Sequence, residues 1–132
     1  MTLVLTAARK MAAIGLCAAA TLAAPFAALP ASAAAAGAEL FITVTPVDGG
    51  AYAMRLTCDP DGGFHPHPVA ACDALRDVDG YIEDLNVDPG SCPQIYDPVE
   101  VNVDGHWYGR PNPYYRQFAN KCEMERTLGP LA

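Results

Sequence analysis

Val99-Glu100-Val101-Asn102-Val103-Asp104-Gly105-His106-Trp107-Tyr108 is the stretch that decides how this chain folds. Its valines alternate with polar residues at the two-residue period of a strand with one buried face, and Asp-Gly is a favoured pair for a two-residue hairpin loop. The reading is a strand over residues 99–103, a turn at Asp104-Gly105 and a return through His106, Trp107 and Tyr108. Upstream, residues 40–45 alternate in the same way, with Leu40, Ile42 and Val44 against Phe41, Thr43 and Thr45, and Pro46 closes the run. Val47-Asp48-Gly49-Gly50 supplies turn chemistry, after which residues 51–58 alternate again, so these two strands form an antiparallel hairpin. Downstream, residues 114–119 add a fifth strand.

Between the two blocks the period changes from two to between three and four. Leu75, Val78, Ile82 and Leu85 recur at helical spacing with Arg76, Asp77, Glu83 and Asp84 between them, which predicts an amphipathic helix over residues 69–86, weakened at Gly80. Residues 59–68, rich in Pro, Gly and His, read as a loop. The fold class is therefore α+β: a five-stranded antiparallel sheet packed by one main helix.

The first third stands outside this domain. Arg9 and Lys10 precede an Ala-rich apolar run that ends in Ala31-Ser32-Ala33, the order of a secretory signal with a small-x-small cleavage site. Residues 1–33 are thus the expected signal peptide, 34–39 a flexible leader and 40–132 the domain, with secretion and an extracellular location following. Losing Arg9 and Lys10 leaves six basic against fifteen acidic residues, a formal charge of −9. Such a surface repels nucleic acid and anionic membranes, so no nucleic-acid partner, and no membrane partner after signal cleavage, is expected.

Four cysteines remain beyond the leader, Cys58, Cys72, Cys92 and Cys122, an even number in an exported domain, which reads as two disulfides with three possible pairings. A Cys58–Cys72 bridge would pin the helix to the second strand. A Cys92–Cys122 bridge would tie the segment Cys92-Pro93-Gln94-Ile95-Tyr96-Asp97-Pro98 to the last strand and the turn over residues 123–126. That segment has a proline on each side of Gln94, Ile95 and Tyr96, and each proline also biases the residue before it towards extended geometry. It is a stiffened peptide, suited to pairing with a cleft as an added edge strand.

Catalytic readings are weak. The domain has one serine, Ser91, without the Gly-x-Ser-x-Gly elbow, and no cysteine stays free as a nucleophile if both bridges form. His65-Pro66-His67 near Asp59 and Asp61 lacks a second pair of metal ligands, and the Asp59-Pro60-Asp61-Gly62 run fails the calcium-loop pattern at Gly63, Phe64 and Ala70. Neither an enzyme nor a metal or cofactor site is expected. Trp107, Tyr108, Tyr114 and Tyr115 read as core or sheet-interface residues before they read as a ligand surface.

Leu56-Thr57-Cys58, His65-Pro66, Ala71-Cys72, Cys92-Pro93-x-x-Tyr96-Asp97-Pro98-Val99, Val103-Asp104-Gly105-x-Trp107-x-Gly109 and Cys122-Glu123-Met124 closely resemble the Streptomyces subtilisin inhibitor-like family of secreted serine protease inhibitors. The resemblance implies bridges Cys58–Cys72 and Cys92–Cys122, a short second helix near Cys122, and a homodimer formed through the sheet. It also implies a reactive bond at Gln94-Ile95, flanked by the protease-contact residues Cys92, Pro93, Tyr96, Asp97 and Pro98, with a subtilisin-like serine protease as partner. Gln94 departs from the Met, Lys or Arg more usual in the family at the position whose side chain enters the protease pocket, and the segment after Met124 departs from the family's apolar ending. The competing reading is a non-inhibitory secreted binding domain, or a glutamine donor for a transglutaminase acting on Gln94.

Overall fold

The computed structural model describes residues 35–132, so the expected signal peptide lies outside the described residues. Six antiparallel strands form one sheet: β1 (Ala38–Pro46), β2 (Tyr52–Cys58), β3 (Gly62–Phe64), β4 (Val99–Trp107), β5 (Arg110–Pro111) and β6 (Tyr114–Phe118). The order is β3-β2-β1-β4-β5, with β6 pairing the first half of β4 on the same edge as β5. Helix α1 (Pro68–Asp77) and helix α2 (Lys121–Leu128) cover one face. Two disulfides complete the α+β architecture, Cys58–Cys72 and Cys92–Cys122.

The alternation reads out directly in the packing. Ala38, Leu40, Ile42 and Val44 of β1 and Val99, Val101, Val103 and Trp107 of β4 are buried against Leu75, Ile82, Phe118, Met124, Leu128 and Leu131. The opposite face carries Phe41, Thr43, Asn102, Asp104 and Tyr115, all exposed. The β1–β2 hairpin is as expected, with Val44 opposite Tyr52. β1 begins at Ala38 rather than Leu40, so Ala38 and Glu39, expected in the leader, are already paired with Trp107 and His106.

Three expectations are corrected. Asp104-Gly105 is not a turn: β4 runs straight through it, with Asp104 opposite Phe41 and Gly105 opposite Leu40. The turn falls at Tyr108-Gly109, where Trp107 faces Arg110 and both central residues have positive φ, 44° and 80°, the requirement of a type I′ hairpin. Tyr108 is held in that uncommon conformation by its N–H, which donates to Gly37 O at 2.8 Å, and by its ring, which meets Trp107 edge-to-face with centroids 5.2 Å apart. Second, residues 59–68 are not all loop, since Gly62–Phe64 pairs with β2 as a sixth strand.

Third, the helix expected over 69–86 stops at Asp77. Asp79 and Gly80 turn left-handed, at φ of 50° and 76°, and Gly80 N–H donates to Leu75 O at 2.7 Å; a single 3₁₀ turn (Ile82–Asp84) follows. The break lets Ile82 and Leu85 reach the core, and it lays Gly80 against the Trp107 indole, where a Cβ would overlap the ring. A Gly80→Ala variant is therefore expected to lose about 2–4 kcal/mol, combining the positive-φ cost with overpacking against a buried aromatic. Urea unfolding checks this as a lower midpoint at unchanged slope.

Arg76 on α1 ties the β2–β3 turn to the helix. Its guanidinium contacts Asp59 at 3.0 Å, Asp73 at 2.8 Å and Asp61 more closely still. The hydrogen bond from Arg76 holds the Asp61 carboxyl below the usual carboxylate range, against a smaller opposing effect of burial. Because the folded value is the lower one, this stabilisation is fully present above about pH 4, the unfolded carboxylate range, and is lost as pH falls through the folded value. Asp61→Asn should accordingly lower Tm at pH 7 and lower it progressively less as the pH is taken below about 4. A pH series of thermal melts, with an Asp61→Asn deficit that stays constant into acid, would refute this.

Candidate functional site: a clamped surface loop

The segment between the 3₁₀ turn and β4 has no regular structure, and its middle stands out from the body. Gln94 is exposed, as are Ile95 at 63% and Tyr96 at 78%, while Pro98 and Val99 are buried where β4 begins. Large apolar side chains left this open contribute nothing to the core, so what holds the loop must be its backbone and its tether.

The contacts that hold residues 92–97 to the body centre on the start of α2. Cys122 in its first turn is bridged to Cys92, with Cα atoms 5.9 Å apart. Asn120 is the N-cap of that helix: its Oδ1 accepts the Glu123 N–H at 3.0 Å, which fixes the carboxamide and points its Nδ2 at the loop. Nδ2 then donates to Pro93 O at 3.2 Å and to Ile95 O at 2.9 Å. Gln94 lies between these two held carbonyls. A tight Ile95 N–H to Pro93 O bond at 2.9 Å closes a three-residue turn around Gln94, and Asp97 N–H donates to Ala119 O at 2.9 Å on the far side. The main chain on both sides of the Gln94-Ile95 bond is fixed, while both side chains project into solvent.

Of the residues singled out from the sequence, Cys92, Pro93, Gln94, Ile95, Tyr96, Asp97 and Pro98 are thus brought together with Cys122, and the Cys58–Cys72 bridge lies apart, fully buried between β2 and α1. Asn120 was not anticipated. Its spacing to Glu123, an N-cap residue followed three positions later by Glu, is a helix-start signal and would have marked the beginning of α2. The turn expected over residues 123–126 is the body of that helix, which bears out the short second helix implied by the resemblance.

The other candidates go elsewhere. His65 is buried, with Nδ1 accepting the His67 N–H at 3.1 Å and Nε2 therefore donating to Leu131 O at 3.1 Å, so one ring nitrogen braces the entry to α1 and the other holds the 3₁₀ turn over Gly129–Leu131. Cys58, Asp61 and Cys72 bring three ligand-type atoms close together, but both sulfurs are in the disulfide and Asp61 is held by Arg76. Trp107 belongs to the core and the partly buried Tyr114 packs against that core, as expected of sheet aromatics. Tyr108 lies in the hairpin turn and Tyr115 on the open sheet face.

A small sheet-and-helix body braced by two disulfides, holding one peptide rigid by its main chain with the side chains free, defines a loop-presenting scaffold. The model of the subtilisin inhibitor-like family matches residues 35–120, and the chain belongs to that family. It is 43% identical over 91 residues to subtilisin inhibitor-like protein 5 of Streptomyces fradiae, covering 67% of this chain and 81% of that protein. It is 46% identical over 72 residues to the trypsin inhibitor STI2 of Streptomyces longisporus, covering 53% and 50% respectively. Among solved structures, Streptomyces caespitosus sermetstatin in complex with Bacillus licheniformis subtilisin is similar, with a TM-score of 0.56 and 31% identity over 71% of this chain and 96% of sermetstatin.

Proposed function

We propose that the chain is a secreted, substrate-mimicking inhibitor of subtilisin-like serine endopeptidases, and that the bond it presents is Gln94-Ile95. The observation that carries this is the double grip of Asn120 on Pro93 O and Ile95 O, one carbonyl before and one after the residue whose carbonyl would be attacked. The protease serine adds to the Gln94 carbonyl carbon and the Gln94 C–Ile95 N bond opens, leaving an acyl-enzyme and a free Ile95 amine. In an ordinary substrate the amine diffuses away. Here Ile95 is held through its own carbonyl by Asn120, and the acyl side is held by Cys92–Cys122, so the amine stays within bonding distance and religation competes with water. A loop already ordered before binding also avoids most of the ordering cost, which is how interfaces of about 1,600 Å² reach very tight affinity.

Gln94 sets the specificity. It offers no cation to a trypsin-type pocket, so trypsin binds weakly, whereas its long unbranched chain suits a broad apolar pocket at a cost of about 1–3 kcal/mol if the amide lacks a partner there. The glutamine-donor alternative draws only on the exposure of Gln94, and nothing in that reading requires the carbonyls on either side to be fixed. Export follows from the signal peptide over residues 1–33, whose removal leaves the domain free. The open sheet face with Phe41 and Tyr115 is the surface for a homodimer, to be read by light scattering of the wild type against Phe41→Glu.

Titration of the mature, oxidised protein against subtilisin and trypsin separately tests the central reading. Stoichiometric loss of subtilisin activity, with any cut confined by mass spectrometry to Gln94-Ile95, is the expected result. Rapid degradation, or full residual activity of both enzymes, overturns it.

A further inference from the structure

The arm that leads into the loop, residues 87–91, is held by a second set of contacts at the opposite end of α2. Val87 N–H donates to Thr127 O at 3.2 Å and Asp88 N–H to Arg126 O at 2.9 Å, so the arm runs beside the helix's last turn. Arg126 then closes back over it: Nη1 donates to Asp88 O at 3.2 Å and to the Asp88 carboxylate at 3.0 Å. Beyond Asp88 the guanidinium lies directly on Gly90, where a Cβ would collide with Nη1. Gly90 is not one of the left-handed glycines among the described residues, so a side chain there is opposed only by the movable end of Arg126 and would have to push the guanidinium aside.

We infer that Arg126 is a positioning residue for the reactive loop: by gripping Asp88 and covering Gly90 it aligns the acyl-side arm, and so favours the intact Gln94-Ile95 bond over the cut one. This rests on the inhibitor reading above. In the intact protein the arm is constrained at Cys92, at Asn120 and by the unbroken chain into β4; once Gln94-Ile95 is open, the last constraint is gone and the grip at residues 88–90 matters more. Removing Arg126 therefore releases more disorder in the cut form than in the intact form, and the balance moves towards the cut form. The effect is modest because both partners are partly exposed, at 35% for Arg126 and 70% for Asp88, and the charge component is screened by solvent.

The test is a double-mutant cycle on Arg126→Ala and Gly90→Ala, each assayed for Ki against subtilisin and for the equilibrium ratio of cut to intact inhibitor under catalytic protease, with Tm measured alongside. Arg126→Ala is expected to raise the cut-to-intact ratio about fivefold, and Arg126→Lys, which keeps a cation for Asp88 but cannot lie flat on Gly90, to recover only part of that. Gly90→Ala should reproduce the loss by displacing the guanidinium. In the Arg126→Ala background it should add little, because there is no longer a side chain to displace. A ratio within twofold of wild type in Arg126→Ala, or losses that simply add in the double variant, overturns the inference while the inhibitor reading stands. Failure of the wild type itself to inhibit subtilisin overturns both, so the two failures are told apart by the wild-type control.

Discussion

Gln94→Lys should bind trypsin about a thousandfold more tightly than the parent protein does, with little change in folding stability. Trypsin's pocket ends in a buried carboxylate, and a lysine ammonium reaching it makes a close charge pair in a desolvated site, where coupling of a few kcal/mol is usual and about 4 kcal/mol corresponds to that factor. Gln94 cannot supply this, since its amide is neutral and leaves the carboxylate uncompensated. Stability should not respond because the Gln94 side chain is exposed and makes no hydrogen bond among the described residues; it is the neighbouring carbonyls that are held. Inhibition constants for trypsin and subtilisin, with Tm on the same samples, check both halves. Unchanged trypsin affinity in a variant that still inhibits subtilisin would show that another residue enters the pocket.

The larger structural effect belongs to the outer disulfide. Cys92→Ser/Cys122→Ser opens a crosslink spanning 30 residues and is expected to lower stability by about 3–4 kcal/mol on the chain-entropy account. It should also turn the inhibitor into a substrate, with activity lost at first and recovering over time as the loop is cut and not resealed. Cys58→Ser/Cys72→Ser is the control. Its separation is 14, so its thermodynamic cost is similar at about 3 kcal/mol, yet it sits between β2 and α1 away from the loop, and the folded fraction should inhibit durably. Comparing the time course of inhibition in the two variants, at a temperature where both are folded, separates loss of stability from loss of the tether. Equal persistence would mean that the Cys92–Cys122 bridge serves the fold alone.

Legibility in the sequence followed how local each cause was. Leu40, Ile42 and Val44 opposite Val101 and Val103 were readable because a half-buried strand writes its burial into every second residue. Gly105 sits in mid-strand for a tertiary reason: β1 extends to Ala38 and keeps β4 paired past Asp104-Gly105, so the best local turn signal is overridden by a neighbouring strand. The same holds for the helix, whose apolar spacing continues through Ile82 and Leu85 although the backbone has already broken to seat Gly80 against Trp107. β3 left no pattern because Gly62-Gly63-Phe64 is too short to alternate. In the loop, prolines and cysteines announced stiffness, but the clamp itself depends on Asn120, whose role only the chain's return from β6 into α2 reveals.

Asn120 grips carbonyl oxygens, which every amino acid possesses, and it ignores the side chains at positions 94 and 95. Mutational drift at those two positions is thereby uncoupled from folding, so a lineage built on this scaffold can follow a changing protease by single substitutions without crossing through unstable intermediates. Asn120 and the cysteines have no such freedom, and selection on such a lineage should be split sharply between a frozen frame and a rapidly diversifying tip.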